Sequence, residues 1–167
     1  GERYASIPTD ALLEPTNSYA ASKAAASISL CQWAEEHQLT LVILRVFHVF
    51  GEGEPETRFW PSLRRAALAG EDFAMTNGEQ IRDFQPVQEV ASEFLRTTAC
   101  LSSEMPGSRI RNLSTGEPLS IYDFACFWWN YYRASGRLLP GAIPYRKTEV
   151  MRYVPGQHEL RINSNTG

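Results

Sequence analysis

The stretch that decides the fold is residues 16–47, "TNSYAASKAAASISLCQWAEEHQLTLVILRVF". It opens with three residue types that cap helix N-termini, and an alanine-rich run then extends to about residue 38. The next segment, "LTLVILRVF" (39–47), is short, β-branched and almost wholly apolar, as is typical of a strand buried on both faces of a parallel sheet. A helix that leads directly into such a strand predicts an α/β fold.

The rest of the chain continues this alternation of helices and strands. The predicted elements are a helix over 58–68 that ends at Gly70, a hairpin centred on Asn77-Gly78, a helix over 87–102, a strand over 108–115, a helix opened by a capping box at Ser120–Asp123, and short strands over 142–145 and 149–154.

Composition narrows the class of protein. The 167 residues are 43% apolar and 21% charged, which is typical of a globular protein. The net charge of −3 gives no excess of basic residues of the kind that binds nucleic acid. No apolar run approaches the ~20 residues of a membrane span, and the N-terminus lacks the apolar core of a signal peptide. Three widely spaced cysteines suggest neither disulfides nor a metal site. We therefore expect a cytoplasmic protein without a metal.

Tyr19 and Lys23 stand four residues apart on the predicted first helix, so their side chains share a face. A phenol with an ordinary pKa of about 10 is a poor acid–base catalyst near neutral pH, but an adjacent ammonium favours the phenolate. The pair could act as a proton shuttle between a hydroxyl and a ketone. Alone, the spacing could also be an exposed pair on a solvated helix face.

Four segments occur in an informative order: "PTNSYAASK" (15–23), "LRVFHVFGEG" (44–53), "IRDFQPVQEVA" (81–91) and "RNLSTGEPLSIYDFA" (111–125). Together they resemble the NAD-dependent epimerase/dehydratase family of extended short-chain dehydrogenases/reductases, which act on sugar nucleotides. The resemblance implies the C-terminal part of a Rossmann-type doubly wound parallel sheet plus a small α/β substrate-binding domain. Residues 1–50 would complete the dinucleotide-binding domain, and 51–167 would form mainly the substrate domain, with about 83–115 returning to the Rossmann domain.

By the same resemblance, Tyr19 would be the catalytic acid/base, and Lys23 would bind the nicotinamide ribose and tune Tyr19. Arg82 would bind the diphosphate of the substrate, which suits the planar fork of a guanidinium. Arg146 matches a second phosphate-binding arginine, although Thr148 replaces the usual glycine of that run. A surface charge is the alternative for each arginine.

Two other features leave alternatives open. His48 stands where the family has an asparagine that touches substrate, and it could equally be a structural histidine. A cluster of six aromatic residues could form a base-stacking surface, but the helical spacing favours a core helix. Its members are Phe124, Phe127, Trp128, Trp129, Tyr131 and Tyr132.

Two parts of the family machinery do not appear in the sequence. There is no glycine-rich phosphate loop, because "GEGEPETR" (51–58) follows the later strand, is acidic and lacks the third glycine. The family's catalytic serine or threonine would fall just before Gly1 if Tyr4 is the tyrosine of the S/T-x-x-x-Y-G run. We therefore expect the chain to be the C-terminal half or more of a larger enzyme, inactive alone.

The resemblance implies an NAD- or NADP-dependent sugar-nucleotide epimerase or 4-ketoreductase, acting on a nucleoside-diphosphate sugar. Gly1 stands where dehydratases have an acidic Asp, which disfavours a 4,6-dehydratase. The remaining alternatives are a non-catalytic dinucleotide-binding sensor on the same scaffold and a substrate half that binds a nucleoside diphosphate weakly through Arg82. In the family the Tyr/Lys helix forms a dimer interface, and the small residues from Ala20 to Ser29 would permit such packing, so we expect a homodimer.

Overall fold

The computed structural model describes residues 5–156 and the backbone of 160–161, and within them the chain alternates helices and strands. The helices are α1 (Ser18–Glu36), α2 (Phe59–Ala69), α3 (Val87–Cys100) and α4 (Ile121–Tyr131), with a 3₁₀ turn at Leu101–Ser103. The strands are β1 (Thr40–Arg45), β2 (His48–Phe50), β3 (Phe73–Ala74), β4 (Ile81–Arg82), β5 (Phe84–Pro86), β6 (Gly107–Ser114), β7 (Leu119–Ser120), β8 (Leu138–Leu139), β9 (Arg152–Tyr153) and β10 (Leu160–Arg161).

The main sheet is parallel and has helices on both faces. Its strand order is β1-β6-β10, with β1 and β6 in register from Thr40 opposite Gly107. Ile43 and Ile110 lie on the side of α1, whereas Leu44 and Leu113 pack with α3 on the other side. Because successive strand residues point to opposite faces, this alternation places the sheet between two helices. The predicted α/β class is confirmed.

Local helix signals predicted the helix ends well. The side-chain oxygen of Asn17 accepts the N–H of Ala20 at 2.8 Å, so α1 begins where its capping residues indicate. Gly70 ends α2 in the left-handed conformation, at φ 69°. Ser120 accepts the N–H of Asp123 at 2.9 Å and opens α4. Each signal lies within a few residues of the helix end that it sets.

We expected a strand over 39–47 that is buried on both faces, but the residues of β1 are only half-buried. A cavity of about 290 Å³ separates Ile28 and Cys31 of α1 from Ile43 beneath them. The strand predicted over 142–145 is also absent, because this segment of the described chain forms a turn and irregular backbone. The strand expected within 149–154 is confirmed as β9.

The hairpin predicted at Asn77-Gly78 is wrong. β3 pairs in parallel with β8, whereas β4 pairs with β7 and β9. Gly78 has φ 73°, and its carbonyl accepts the N–H of Tyr122 at 3.0 Å. A Cβ at Gly78 would lie 2.7 Å from that nitrogen, so only glycine fits the close approach. The turn at Gly78 thus packs against the start of α4 and does not join two paired strands.

The aromatic helix α4 is only partly core. Phe124 and Trp129 are buried, and Phe124 stacks on Phe84 with ring centroids 3.8 Å apart. Phe127 and Tyr131 lie on the same helix but are 58% and 56% exposed. The prediction of a core helix therefore holds for the buried face and fails for the exposed one.

A fully buried carboxylate, that of Asp83, joins two segments of the chain. It accepts hydrogen bonds from the Ser114 hydroxyl (2.8 Å), the Gln85 amide (3.1 Å) and the backbone N–H groups of Thr115 (3.0 Å) and Gly116 (3.3 Å). A buried charge is tolerated only when its hydrogen-bonding capacity is satisfied in this way. The carboxylate thereby fixes the end of β6 against the β4–β5 segment.

The described residues contain neither a helix long and apolar enough to cross a membrane nor a group of three or more His, Cys, Asp or Glu side chains placed to hold a metal ion.

We predict that Asp83→Asn lowers the free energy of unfolding by about 2–4 kcal/mol. The N–H groups of the new amide would face the N–H and O–H groups that now donate to the carboxylate. Urea titration of the protein measures this loss. Asp72→Asn is the matched control, since Asp72 also accepts several hydrogen bonds, from Arg137, but in an exposed position. An equal loss in both variants would contradict the role assigned to Asp83.

Candidate active site

The structure brings Tyr19 and Lys23 together in the first turns of α1. The Lys23 ammonium lies 5.7 Å from the centre of the Tyr19 ring, in reach of a cation–π interaction. Both side chains are exposed, with Tyr19 72% accessible, so a ligand can reach the phenol. The helical spacing in the sequence is therefore matched by a real side-chain contact.

His48 lies on β2, and its ring packs edge-on against Phe84 with centroids 4.9 Å apart. Burial lowers the pKa of His48 from its ordinary value to about 4, and the positive charges of Arg82 and Arg58 add to this effect. The imidazole is therefore neutral at neutral pH, with one nitrogen able to donate and the other able to accept a hydrogen bond.

Arg82 is nearly buried, at 8% exposure, and already has partners. Its guanidinium donates to the carbonyl of Val150 at 2.6 Å and to that of Ile81 at 2.9 Å, and it pairs with the carboxylate of Glu149 at 3.5 Å. Burial lowers the pKa of Arg82, while the charges of Glu149 and Tyr153 oppose that shift. These contacts hold the guanidinium in one orientation.

Arg146 is exposed and lies in the turn that supplies the partner of Arg82. Its carbonyl accepts the N–H of Glu149 at 3.0 Å, which closes the turn and directs the chain back to Arg82. Arg82 and Arg146 therefore lie in neighbouring segments of the fold. Arg82 is buried, whereas Arg146 is open to solvent.

Sequence reasoning missed Tyr153 and Glu149. The Tyr153 ring packs against Phe47 with centroids 5.0 Å apart. Burial raises the pKa of its phenol, and the charges of Arg45 and Arg82 pull that pKa down. Tyr153 therefore joins the end of β1 to the Arg82 cluster. No short-range pattern could have found it, because its partners lie far earlier in the chain.

Segment 5–9 runs along the same cluster. The carbonyl of Thr9 accepts a hydrogen bond from Arg45 at 2.9 Å, and the carbonyl of Ile7 accepts one from the buried side chain of Asn112 at 2.9 Å. Ile7 also donates its N–H to Val154 at 2.8 Å. Backbone hydrogen bonds thus fix this segment between β6 and the residues after β9. Tyr4, from which the catalytic hydroxyl was expected to fall just before Gly1, lies outside the described residues.

The loop over 51–58 does not fit a diphosphate. It bears three carboxylates, and the one guanidinium, Arg58, pairs with Glu54 at 3.3 Å. The first turn of a helix attracts an anion, but nearby carboxylates repel it and so oppose binding of a diphosphate here.

Comparison with known proteins identifies relatives of the chain. The sequence profile of the NAD dependent epimerase/dehydratase family matches residues 2–107. CDP-abequose synthase of Salmonella typhimurium is 30% identical over 132 residues, which cover 77% of this chain and 44% of that protein. UDP-glucose 4-epimerase of Corynebacterium glutamicum is 27% identical over 130 residues, covering 69% and 39%. The chain thus spans less than half the length of these two relatives.

A solved structure has the same fold. UDP-glucose 4-epimerase of Thermotoga maritima, determined with UDP-glucose, has a TM-score of 0.76 at 20% identity, covering 93% of this chain and 50% of that one. The sheet with its flanking helices therefore defines a Rossmann-type α/β protein, as predicted. The chain belongs to the NAD dependent epimerase/dehydratase family.

We predict that acid destabilises the protein through His48. The unfolded imidazole binds a proton near its ordinary pKa of 6.5, whereas the native one does so only at about 4. Stability is therefore complete above about pH 7 and falls as the pH drops from 6.5 to 4, by up to about 3 kcal/mol. His48→Asn should flatten this part of the profile in urea titrations at stepped pH.

His37→Asn is the matched control for this experiment, because His37 is exposed at the C-terminal end of α1. It should keep the wild-type slope between pH 6.5 and 4. The same slope in wild type and His48→Asn would contradict the assignment of a half-buried, neutral imidazole.

Proposed function

We propose that the chain supplies the proton-transfer pair and a substrate-binding surface of an NAD- or NADP-dependent nucleotide-sugar epimerase or 4-ketoreductase. The observation that carries this proposal is the placement of the Lys23 ammonium 5.7 Å from the centre of the exposed Tyr19 ring. A sensor that only binds a dinucleotide would need no such pair, and neither would a structural helix.

Tyr19 is the proposed acid/base. Its phenolic oxygen takes the proton of a sugar hydroxyl as the carbon beneath it is oxidised to a ketone, and returns the proton when the ketone is reduced. The Lys23 ammonium stabilises the phenolate that exists before the proton is taken and again after it is returned. Both groups stand on one rigid helix, which keeps their separation constant during the reaction.

NAD or NADP, when bound, supplies the hydride acceptor and donor. The exposed Lys23 side chain, on the open face of α1, fits a contact with ribose hydroxyls, since an ammonium has three donors and no acceptor. The acidic loop over 51–58 does not fit the diphosphate of the cofactor, so we assign no residue of that loop to it.

The nucleoside-diphosphate sugar would lie against the Arg82 cluster. Arg82 uses three of its five N–H groups within the chain, so others remain for phosphate oxygens. Exposed Arg146 would add a second positive charge. The neutral imidazole of His48 would donate to a sugar or phosphate oxygen, in the place of the family's asparagine.

A homodimer through α1 is part of this proposal. Ile28, Leu30 and Trp33 of that helix are 49–62% exposed, which is a substantial apolar surface for one helix. A second copy of the same helix would cover it.

We predict that Tyr19→Phe abolishes turnover of nucleotide sugars by the full-length protein, by about 10²–10⁴-fold, because the ring remains but the transferable proton is lost. Cofactor affinity, measured by NADH and NADPH fluorescence, should stay within a few fold. Tyr122→Phe, an exposed tyrosine on α4, is the control and should keep full activity. Unchanged turnover in Tyr19→Phe would reject Tyr19 as the acid/base, whereas no turnover by the wild-type protein would favour a sensor.

A second prediction concerns the diphosphate. Arg82→Ala should weaken binding of UDP, CDP or TDP by tenfold or more in calorimetry of the full-length protein, because a charge-assisted bond contributes ~1.5–3 kcal/mol. Glu149→Gln should strengthen it, since the carboxylate competes with phosphate for the same guanidinium. Arg133→Lys, on an exposed turn, is the control. Equal affinities in all variants would remove Arg82 from the site.

A further inference from the structure

A second cavity, of about 730 Å³, opens between α2 and α4. It contains none of the residues of the proposed active site. Its floor is formed by the buried rings of Phe50, Phe84 and Phe124, and its walls include Trp60 and Trp128. This volume is typical of pockets that enclose a small organic ligand.

The rings around the cavity form a continuous surface from the core to solvent. Trp128 packs edge-on against both Trp60 and Tyr131, with centroid separations of 5.8 and 5.2 Å. Phe127 lies 5.3 Å from Trp128 and projects further out. Because Phe127 and Tyr131 are more than half exposed, they contribute little to the core. Exposed rings fixed beside a cavity are instead suited to contact a ligand.

The polar groups of the cavity restrict the class of ligand. Glu52 and Glu117 contribute two carboxylates and Arg64 one guanidinium, which lies over the Trp60 ring at 5.9 Å. Gln88 adds an amide that can donate and accept. Two negative charges against one positive charge disfavour a diphosphate. Aromatic faces combined with carboxylate, amide and guanidinium groups match an uncharged ligand that has apolar C–H faces and many hydroxyls.

We propose that this cavity binds an uncharged pyranose ring, as a free sugar or as the terminal unit of a glycoside. The C–H face of the sugar packs on Trp128 and Tyr131, and its hydroxyls bond the carboxylates and Arg64. The site is separate from the one at Tyr19, and it does not depend on the proposed reaction.

The test is a titration of the full-length protein with methyl glucoside, methyl galactoside and maltose, followed by tryptophan fluorescence. Two of the four tryptophans, Trp60 and Trp128, line the cavity, so bound sugar should change the emission in a saturable way. Tyr131→Ala should weaken binding roughly fivefold or more. Tyr131 is exposed, so its removal should leave the fold intact, and Glu52→Gln gives a second variant without loss of packing.

Tyr122→Ala is the matched control, because Tyr122 is an exposed tyrosine of the same helix that lies outside the cavity. It should bind as tightly as wild type. The proposal is overturned if none of these sugars gives a saturable change, or if Tyr131→Ala and Glu52→Gln both bind sugar like wild type. It is also overturned if sodium benzoate binds in a way that depends on Tyr131 but displaces no sugar, because the sugar would then lie outside this cavity.

Discussion

The carboxylate of Asp83 is the interaction on which the rest of the structure depends. It is fully buried, and it joins the β4–β5 segment to the backbone that follows β6. Arg82 and Phe84 flank it in the chain, so the same constraint holds the guanidinium beside Val150 and the phenyl ring beneath α4. One buried charge thus places parts of both proposed binding sites, at a cost that its four hydrogen bonds offset.

Local structure was predictable from the sequence where its cause is local. Asn17 caps α1 and Gly70 ends α2 through contacts within four residues, so the predicted positions of these helix ends agree with the structure. The hairpin at Gly78 failed because β3 and β4 pair with strands from much later in the chain, β7, β8 and β9, which no turn signal encodes. The exposure of Tyr131 was missed for a related reason, since helical spacing groups aromatic residues without showing how far a neighbouring helix covers them.

The same distinction applies to the candidate site. The contact between Tyr19 and Lys23 follows from a spacing of four on a helix, so the sequence was sufficient. Arg82 was identified by resemblance, but its partner Glu149 lies 67 residues later, and only the folded chain brings the two together. The burial that keeps His48 neutral likewise depends on tertiary packing. The proximity of Tyr19 and Lys23 was predictable, whereas the surroundings of His48 and the partners of Arg82 were not.

The central claim is that this chain takes part in hydride transfer at a sugar carbon that bears a hydroxyl. The most direct measurement mixes the full-length protein and NAD or NADP with UDP-, CDP- and TDP-hexoses deuterated at C4. We predict that at least one sugar gives the near-ultraviolet absorbance of reduced nicotinamide, more slowly than its undeuterated form. Loss of the deuterium to water, or no reduced nicotinamide with any of these sugars, would contradict the account.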